Sequence, residues 1–253
     1  MPASVHIPVL LYHQVNDRPG AATTPPDTFR AHLQWLAAHG WRSLTLGEFE
    51  AAIDGRANVG KRRFLLTFDD GPVDLTQCAI EMERFGFTGT AFLITGRHRA
   101  GDDGSLATAD VANIAARGTL EFQSHTDRHV RIAPGKDGLD ALAEDLERSR
   151  VWLMETLEVP PESVCHLAWP WGQCTPEMEA LARDLGYRWQ YLVQRGAVTR
   201  SGQPVRLPRL CADAMSLSQF SRWMRLMASR PGGQLVNYLF GPVRRARHGL
   251  AYW

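Results

Sequence analysis

The chain has 253 residues, 44% of them hydrophobic, with 28 Lys and Arg set against 27 Asp and Glu. A formal charge of +1 gives no global electrostatic case for a nucleic-acid partner, and the length suits a single α/β barrel. The N-terminus, Met1 to Pro8, has no basic stretch ahead of an apolar core, and no apolar run approaches the ~20 residues of a membrane span. A cytoplasmic location is therefore expected. Cys78, Cys165, Cys174 and Cys211 form no Cys-x-x-Cys pair, which argues against a zinc ribbon and for free thiols in a reducing compartment.

Val9-Leu10-Leu11-Tyr12 reads as a short strand with His13 just past its end. After a Pro-rich loop, Asp27 is placed to cap a helix bearing Phe29, Leu33 and Leu36, stopped at Gly40. Residues 41–46 read as extended, 46–53 as a short helix and 55–63 as a polar, basic connection. Leu65-Leu66-Thr67-Phe68 is a buried strand that delivers Asp69-Asp70 to a Gly71-Pro72 turn. A helix with Leu75, Ile80, Met82 and Phe85 follows, then a strand at 90–94, a loop at 101–105 and a helix from Thr108 to Gly118. Leu120-Glu121-Phe122 is a strand running into His125 to His129, with a loop expected at 135–138. Leu139, Leu142, Leu146, Leu153 and Leu157 mark a long amphipathic helix. Residues 164–168 form a strand ending in Trp169-Pro170-Trp171-Gly172. Thr175 caps a helix with Pro176 at its first position. The last strands are expected at 189–193 and 205–210, and Ser216 to Gln219 is a capping box opening a helix with Phe220, Met224 and Met227. Sustained strand–helix alternation to about residue 210 argues one α/β domain on a mainly parallel sheet, a barrel, with its polar groups gathered at the C-terminal ends of the strands.

Two groups carry chemistry. Adjacent residues on an extended chain point to opposite sides, so Asp69 and Asp70 should do different jobs, and a cation would relieve their repulsion. His125 and His129 are four apart, so on a helical turn they would share one face. Two imidazoles and one carboxylate leave open positions on a divalent metal, as a catalytic site requires.

These motifs resemble those of the polysaccharide deacetylases of carbohydrate esterase family 4, the NodB-homology domain. Thr67-Phe68-Asp69-Asp70-Gly71 and His125-Thr126-Asp127-Arg128-His129 match its first two motifs in full. The resemblance runs from about residue 8 to 210. It implies a distorted (β/α) barrel removing N-acetyl groups from amino sugars, with Asp69 as general base. Asp70, His125 and His129 would bind Zn²⁺, or Co²⁺, Ni²⁺ or Mn²⁺ in its place. The third motif, Arg-x-Pro-Tyr, is half present as Ala168-Trp169-Pro170-Trp171. Trp171 takes the tyrosine position, whose backbone N–H would hold the oxyanion, and Ala168 leaves the base without its usual arginine. The late Leu-x-His motif is absent, since no His lies between His166 and His248. One branch of the family instead opens with Pro-Val-Leu-x-Tyr-His, matched by Pro8 to His13. This makes His13 the expected acid for the leaving amine, a role that its ordinary pKa suits.

Other residues have blander readings. His166 is expected in the core, and His32 and His39 in solvent. Of Trp169, Trp171 and Trp189, Trp171 is the expected sugar platform. Asp127 and Arg128 have no assigned role. Residues 1–212 are read as the catalytic domain and 213–253 as a helical, basic and aromatic extension. Its Arg244, Arg245 and Arg247 suggest either peripheral contact with the inner membrane or a helix packed on the barrel with a frayed basic end. The expected substrate is an N-acetylhexosamine in a bacterial envelope glycan or its lipid-linked precursor. An amidase acting on a small non-sugar amide and a degenerate glycan-binding module are the alternatives. A dehalogenase-type phosphatase is poorly supported, because Phe68 stands where its first Asp would be.

Overall fold

A computed structural model describes residues 6–132, 135–199 and 206–240. In chain order the elements are β1 (His6–Tyr12), α1 (Pro26–Ala38), β2 (Arg42–Ser43), α2 (Leu46–Ile53), β3 (Arg63–Phe68), α3 (Leu75–Arg84), β4 (Gly89–Leu93), α4 (Thr95–Ala100) and α5 (Thr108–Ala116). Then come β5 (Leu120–Ser124), α6 (Lys136–Leu157), β6 (His166–Ala168), α7 (Pro176–Asp184), β7 (Trp189–Tyr191), β8 (Ala197–Thr199), β9 (Leu210–Cys211), α8 (Leu217–Ala228) and α9 (Arg230–Phe240).

The sheet order is β7-β6-β5-β4-β3-β1-β8, parallel throughout except that β8 runs antiparallel to the start of β1. β1 and β3 pair from Val9↔Leu65 to Tyr12↔Phe68, so His13 and Asp69 leave neighbouring strands at the same height. The segment 207–212 joins the two flanks. Leu207 exchanges hydrogen bonds with the end of β7, donating to Gln190 O (2.8 Å) and accepting from Leu192 N–H (2.9 Å). Three residues on, β9 pairs with Leu10 and Leu11 of β1, and Ala212 N–H donates to Leu11 O at 2.8 Å. The result is a distorted (β/α) barrel. No helix among the described residues is long and apolar enough to cross a membrane.

Side-chain alternation sorts the core into two clusters. Ile7, Val9, Leu65, Phe92 and Tyr191 fill the barrel with Phe49 and Ile53 of α2. Leu10, Tyr12, Phe64, Leu66 and Phe68 face outward against the helices. Each such side chain contributes roughly 1.5–3 kcal/mol on burial.

The helix starts follow local chemistry. Thr45–Glu48 and Ser216–Gln219 form capping boxes, and Thr175 Oγ1 accepts from Met178 N–H ahead of Pro176. Several expectations need correction. Asp27 lies inside the first turn of α1 and makes no capping bond; Pro25 and Pro26 set the start instead. Residues 136–138 are the first turn of α6, not loop, and α4 and β8 were not expected. Of the strand expected at 205–210, residue 205 lies outside the described residues, and pairing is confined to Leu207 and to Leu210 onward. His32 is fully buried, accepted into the core by the Tyr12 hydroxyl (2.8 Å) and by stacking on Phe220 of α8 (4.0 Å), while His39 is exposed. Cys78 is buried and the other three thiols are half-buried, all free.

Candidate active site

β3 carries the chemistry because its inward parity ends on a carboxylate. Leu65 packs inside the barrel, and Asp69 lies four residues on with the same parity, so its side chain enters the barrel mouth. There Arg209, fully buried on the closing segment, meets it through two hydrogen bonds, Nη1 to Oδ1 at 2.6 Å and Nη2 to Oδ2 at 2.7 Å. A further bond from Arg209, to Thr67 Oγ1, is long at 3.4 Å. Arg209 thus supplies the charge missing at Ala168, from a segment 140 residues away. Burial alone would raise the Asp69 carboxyl, but Arg209 and then His125 outweigh it and hold it down at about 2.

Asp70 departs from strand parity. Its φ of 69° turns the chain, and Gly71 continues at 70° with no room for a side chain against His98 and Leu93. The turn brings the second carboxylate back to the same site. Asp70 Oδ1 lies 3.5 Å from His125 Nε2 and 3.9 Å from His129 Nε2. His125 and His129 do not share a helical turn as the four-residue spacing suggested. Thr126 and His129 adopt φ of 68° and 52° in a loop after β5, and Thr126 Oγ1 accepts the His129 backbone N–H at 3.0 Å. The imidazoles meet all the same, with ring centroids 4.7 Å apart.

The donor set suits a divalent cation. The ligand atoms of Asp70, His125 and His129 all lie within 4.8 Å of one another. His125 Nδ1 donates to Ala168 O at 2.7 Å, which fixes the tautomer and leaves Nε2 as a lone pair facing Asp70. The flanking Asp127 is fold machinery: buried, it accepts from Thr95 Oγ1 and Arg99, while Arg128 donates to Asp145.

Across the mouth, His13 Nδ1 bonds Asp213 Oδ2 at 2.6 Å, and Thr24 Oγ1 donates to the other oxygen of Asp213. Burial opposes a charged imidazole, but the Asp213 bond and the fields of Asp69, Asp213 and Asp70 raise His13 to about 9. Trp171, at φ 55°, is 36% exposed and lies 4.5 Å from the His129 ring, whereas Trp169 and Trp189 are fully buried. His166 sits in the core between Tyr191 and Glu50.

Arg209 and Asp213 are the site residues that motif reading did not find. For Arg209 a signal existed: an arginine inside the apolar run Leu207 to Ala212, on a strand, needs a buried carboxylate. Asp213, 200 residues from His13, had none.

Residues 56–189, more than half of the chain, match the family model for polysaccharide deacetylase. YxkH of Bacillus subtilis (strain 168) is 25% identical over 225 residues, covering 87% of this chain and 77% of that protein. The poly-beta-1,6-N-acetyl-D-glucosamine N-deacetylase of Staphylococcus epidermidis is 26% identical over 192 residues, or 72% of this chain, and the match spans 65% of that protein's length. The solved structure of the Streptococcus pyogenes deacetylase PplD in complex with acetate has the same fold, with a TM-score of 0.79 at 21% identity, covering 88% of this chain and 99% of that one. The chain belongs to the polysaccharide deacetylase family, hydrolases that cleave the amide bond of acetylated sugars.

Proposed function

We propose that this deacetylase is metal-dependent and acts on an N-acetylhexosamine in a bacterial envelope glycan or its lipid-linked precursor. The observation that carries the reading is the separation of two adjacent carboxylates onto different partners: Asp69 on Arg209, Asp70 on His125 and His129. Asp70, His125 and His129 would hold the cation, Zn²⁺ by preference for this nitrogen and oxygen set, with Co²⁺, Ni²⁺ or Mn²⁺ as substitutes. When bound, such an ion polarises the acetyl carbonyl and acidifies the attacking water.

The chain's own groups do the rest. Asp69 is ionised at neutral pH and takes the water's proton. A carboxylate held near 2 is a weak base, so its work is positional: Arg209 grips both oxygens and aims them. The Trp171 backbone N–H serves the oxyanion of the tetrahedral intermediate, in a strained conformation that only the surrounding structure can enforce. His13, protonated at neutral pH, gives its proton to the leaving amine, and Asp213 keeps the ring oriented with Nε2 toward the site. The relative from Staphylococcus epidermidis is named for an N-acetylglucosamine polymer, which supports the sugar class.

The reading also places the protein in the cytoplasm, in peripheral contact with the inner membrane. Leu235 and Leu239 are exposed four residues apart on α9, and Arg244, Arg245 and Arg247 follow in the sequence, though those arginines lie outside the described residues. The test of function is acetate release from soluble N-acetylglucosamine oligomers. Release should stop with a chelator and return with Zn²⁺; release that is indifferent to the chelator overturns metal dependence.

A further inference from the structure

Behind Trp171 lies a cavity of about 410 Å³ that the deacetylation chemistry does not use. It shares Thr126 and Trp171 with the site, and the Trp171 ring lies 4.5 Å from that of His129. Its size falls within the ~300–1,000 Å³ of small-ligand pockets. Ile132, Leu142, Cys174 and Met178 give it an apolar floor.

The polar groups that line the cavity are mostly committed to the fold. Asp145 accepts from Asp127 N–H and from Arg128, Thr175 Oγ1 caps α7, and Thr126 Oγ1 holds His129 N–H. A second sugar ring would leave its hydroxyls poorly matched in such a place. Arg131, at the rim, is different. Three arginines near it pair with carboxylates, Arg99 with Asp127, Arg128 with Asp145, and Arg148 with Asp127 and Glu144. No described carboxylate lies within ion-pair distance of Arg131, whose guanidinium lies 4.6 Å from the centre of the Trp171 ring. A cation above an apolar floor fits an anion with a hydrocarbon attached.

We propose that this cavity holds the hydrocarbon of a phosphate-linked lipid whose sugar end is the unit being deacetylated, with the phosphate on Arg131. The inference rests on the proposed function and narrows it, because it makes the substrate a lipid-linked sugar and not the interior of a polymer.

Calorimetry on the full chain tests this without turnover. Octyl phosphate should bind at least about tenfold more tightly than octanol or inorganic phosphate, since a charged hydrogen bond and a buried chain act together. Arg131→Gln should lose about tenfold of that affinity, and Arg131→Lys should recover part of it. An N-acetylglucosamine octyl phosphodiester should bind more tightly than octyl phosphate. Equal binding of those two would give the cavity to a membrane lipid headgroup and overturn the proposal. So would octyl phosphate binding that does not exceed its two halves, or that ignores Arg131→Gln. Those failures leave acetate release from soluble oligomers untouched, whereas loss of all acetate release would sink the function and not the binding.

Discussion

Asp69 and Arg209 show how a buried charge is tolerated. Neither is more than 1% exposed, and each satisfies the other in a two-bonded fork. Removing one partner strands the other. Arg209→Met should cost roughly 3–5 kcal/mol in urea unfolding, and Arg209→Lys should recover only part of it, because an ammonium cannot grip both oxygens. His13 makes a separate prediction. Its folded value of about 9 stands above the ordinary 6.5, so the pair with Asp213 stabilises the fold fully below pH 6.5 and progressively less as pH rises through 9. As the acid, His13 must carry its proton, so activity should fall on the basic side. Asp213→Asn removes the largest raising influence and should move that basic limb of the kcat profile downward. An unmoved limb would assign it to another group.

At the scale of elements, the docking of α8 depends on a neutral histidine. His32 stacks on Phe220 between α1 and α8, and burial pushes it down to about 4. In the fold it stays uncharged where the unfolded chain would take up a proton. Its contribution is therefore complete above pH 6.5 and is lost as pH falls from 6.5 towards 4. His166, buried beside Glu50, is shifted in the same direction. Urea midpoints should drop between pH 7 and pH 5, and His32→Gln should flatten that drop. An equal slope in the variant would place the acid sensitivity elsewhere. Elements were readable where local chemistry decides them, as with the caps at Thr175 and Ser216 and the apolar run of β3. They were not readable where packing decides them. His32 reads as polar on a helix, and its burial is explained by the Tyr12 hydroxyl and by the arrival of Phe220 from 188 positions downstream. The loop from His125 to His129 has helical spacing, yet two left-handed residues build it.

For the whole molecule, the barrel gathers distant residues at one rim. Asp69-Asp70 and His125-His129 are local patterns and could be found in the sequence. Arg209 and Asp213 belong to the segment that closes the barrel between β7 and β1, and their partners are set by topology, not by spacing. Among the described residues, five of the seven non-glycine positions with positive φ, Asp70, Thr126, His129, Trp171 and Ala214, lie in the site or beside Asp213. Backbone strain is thus concentrated where the chemistry is placed. The central claim is that two adjacent carboxylates divide the labour. Zinc content and acetate release, measured together on Asp69→Asn and Asp70→Ala, test it most directly. The account predicts that Asp69→Asn keeps its zinc and loses turnover, its amide oxygen still accepting from Arg209, while Asp70→Ala loses both. An Asp69→Asn variant that turns over at the wild-type rate would contradict it.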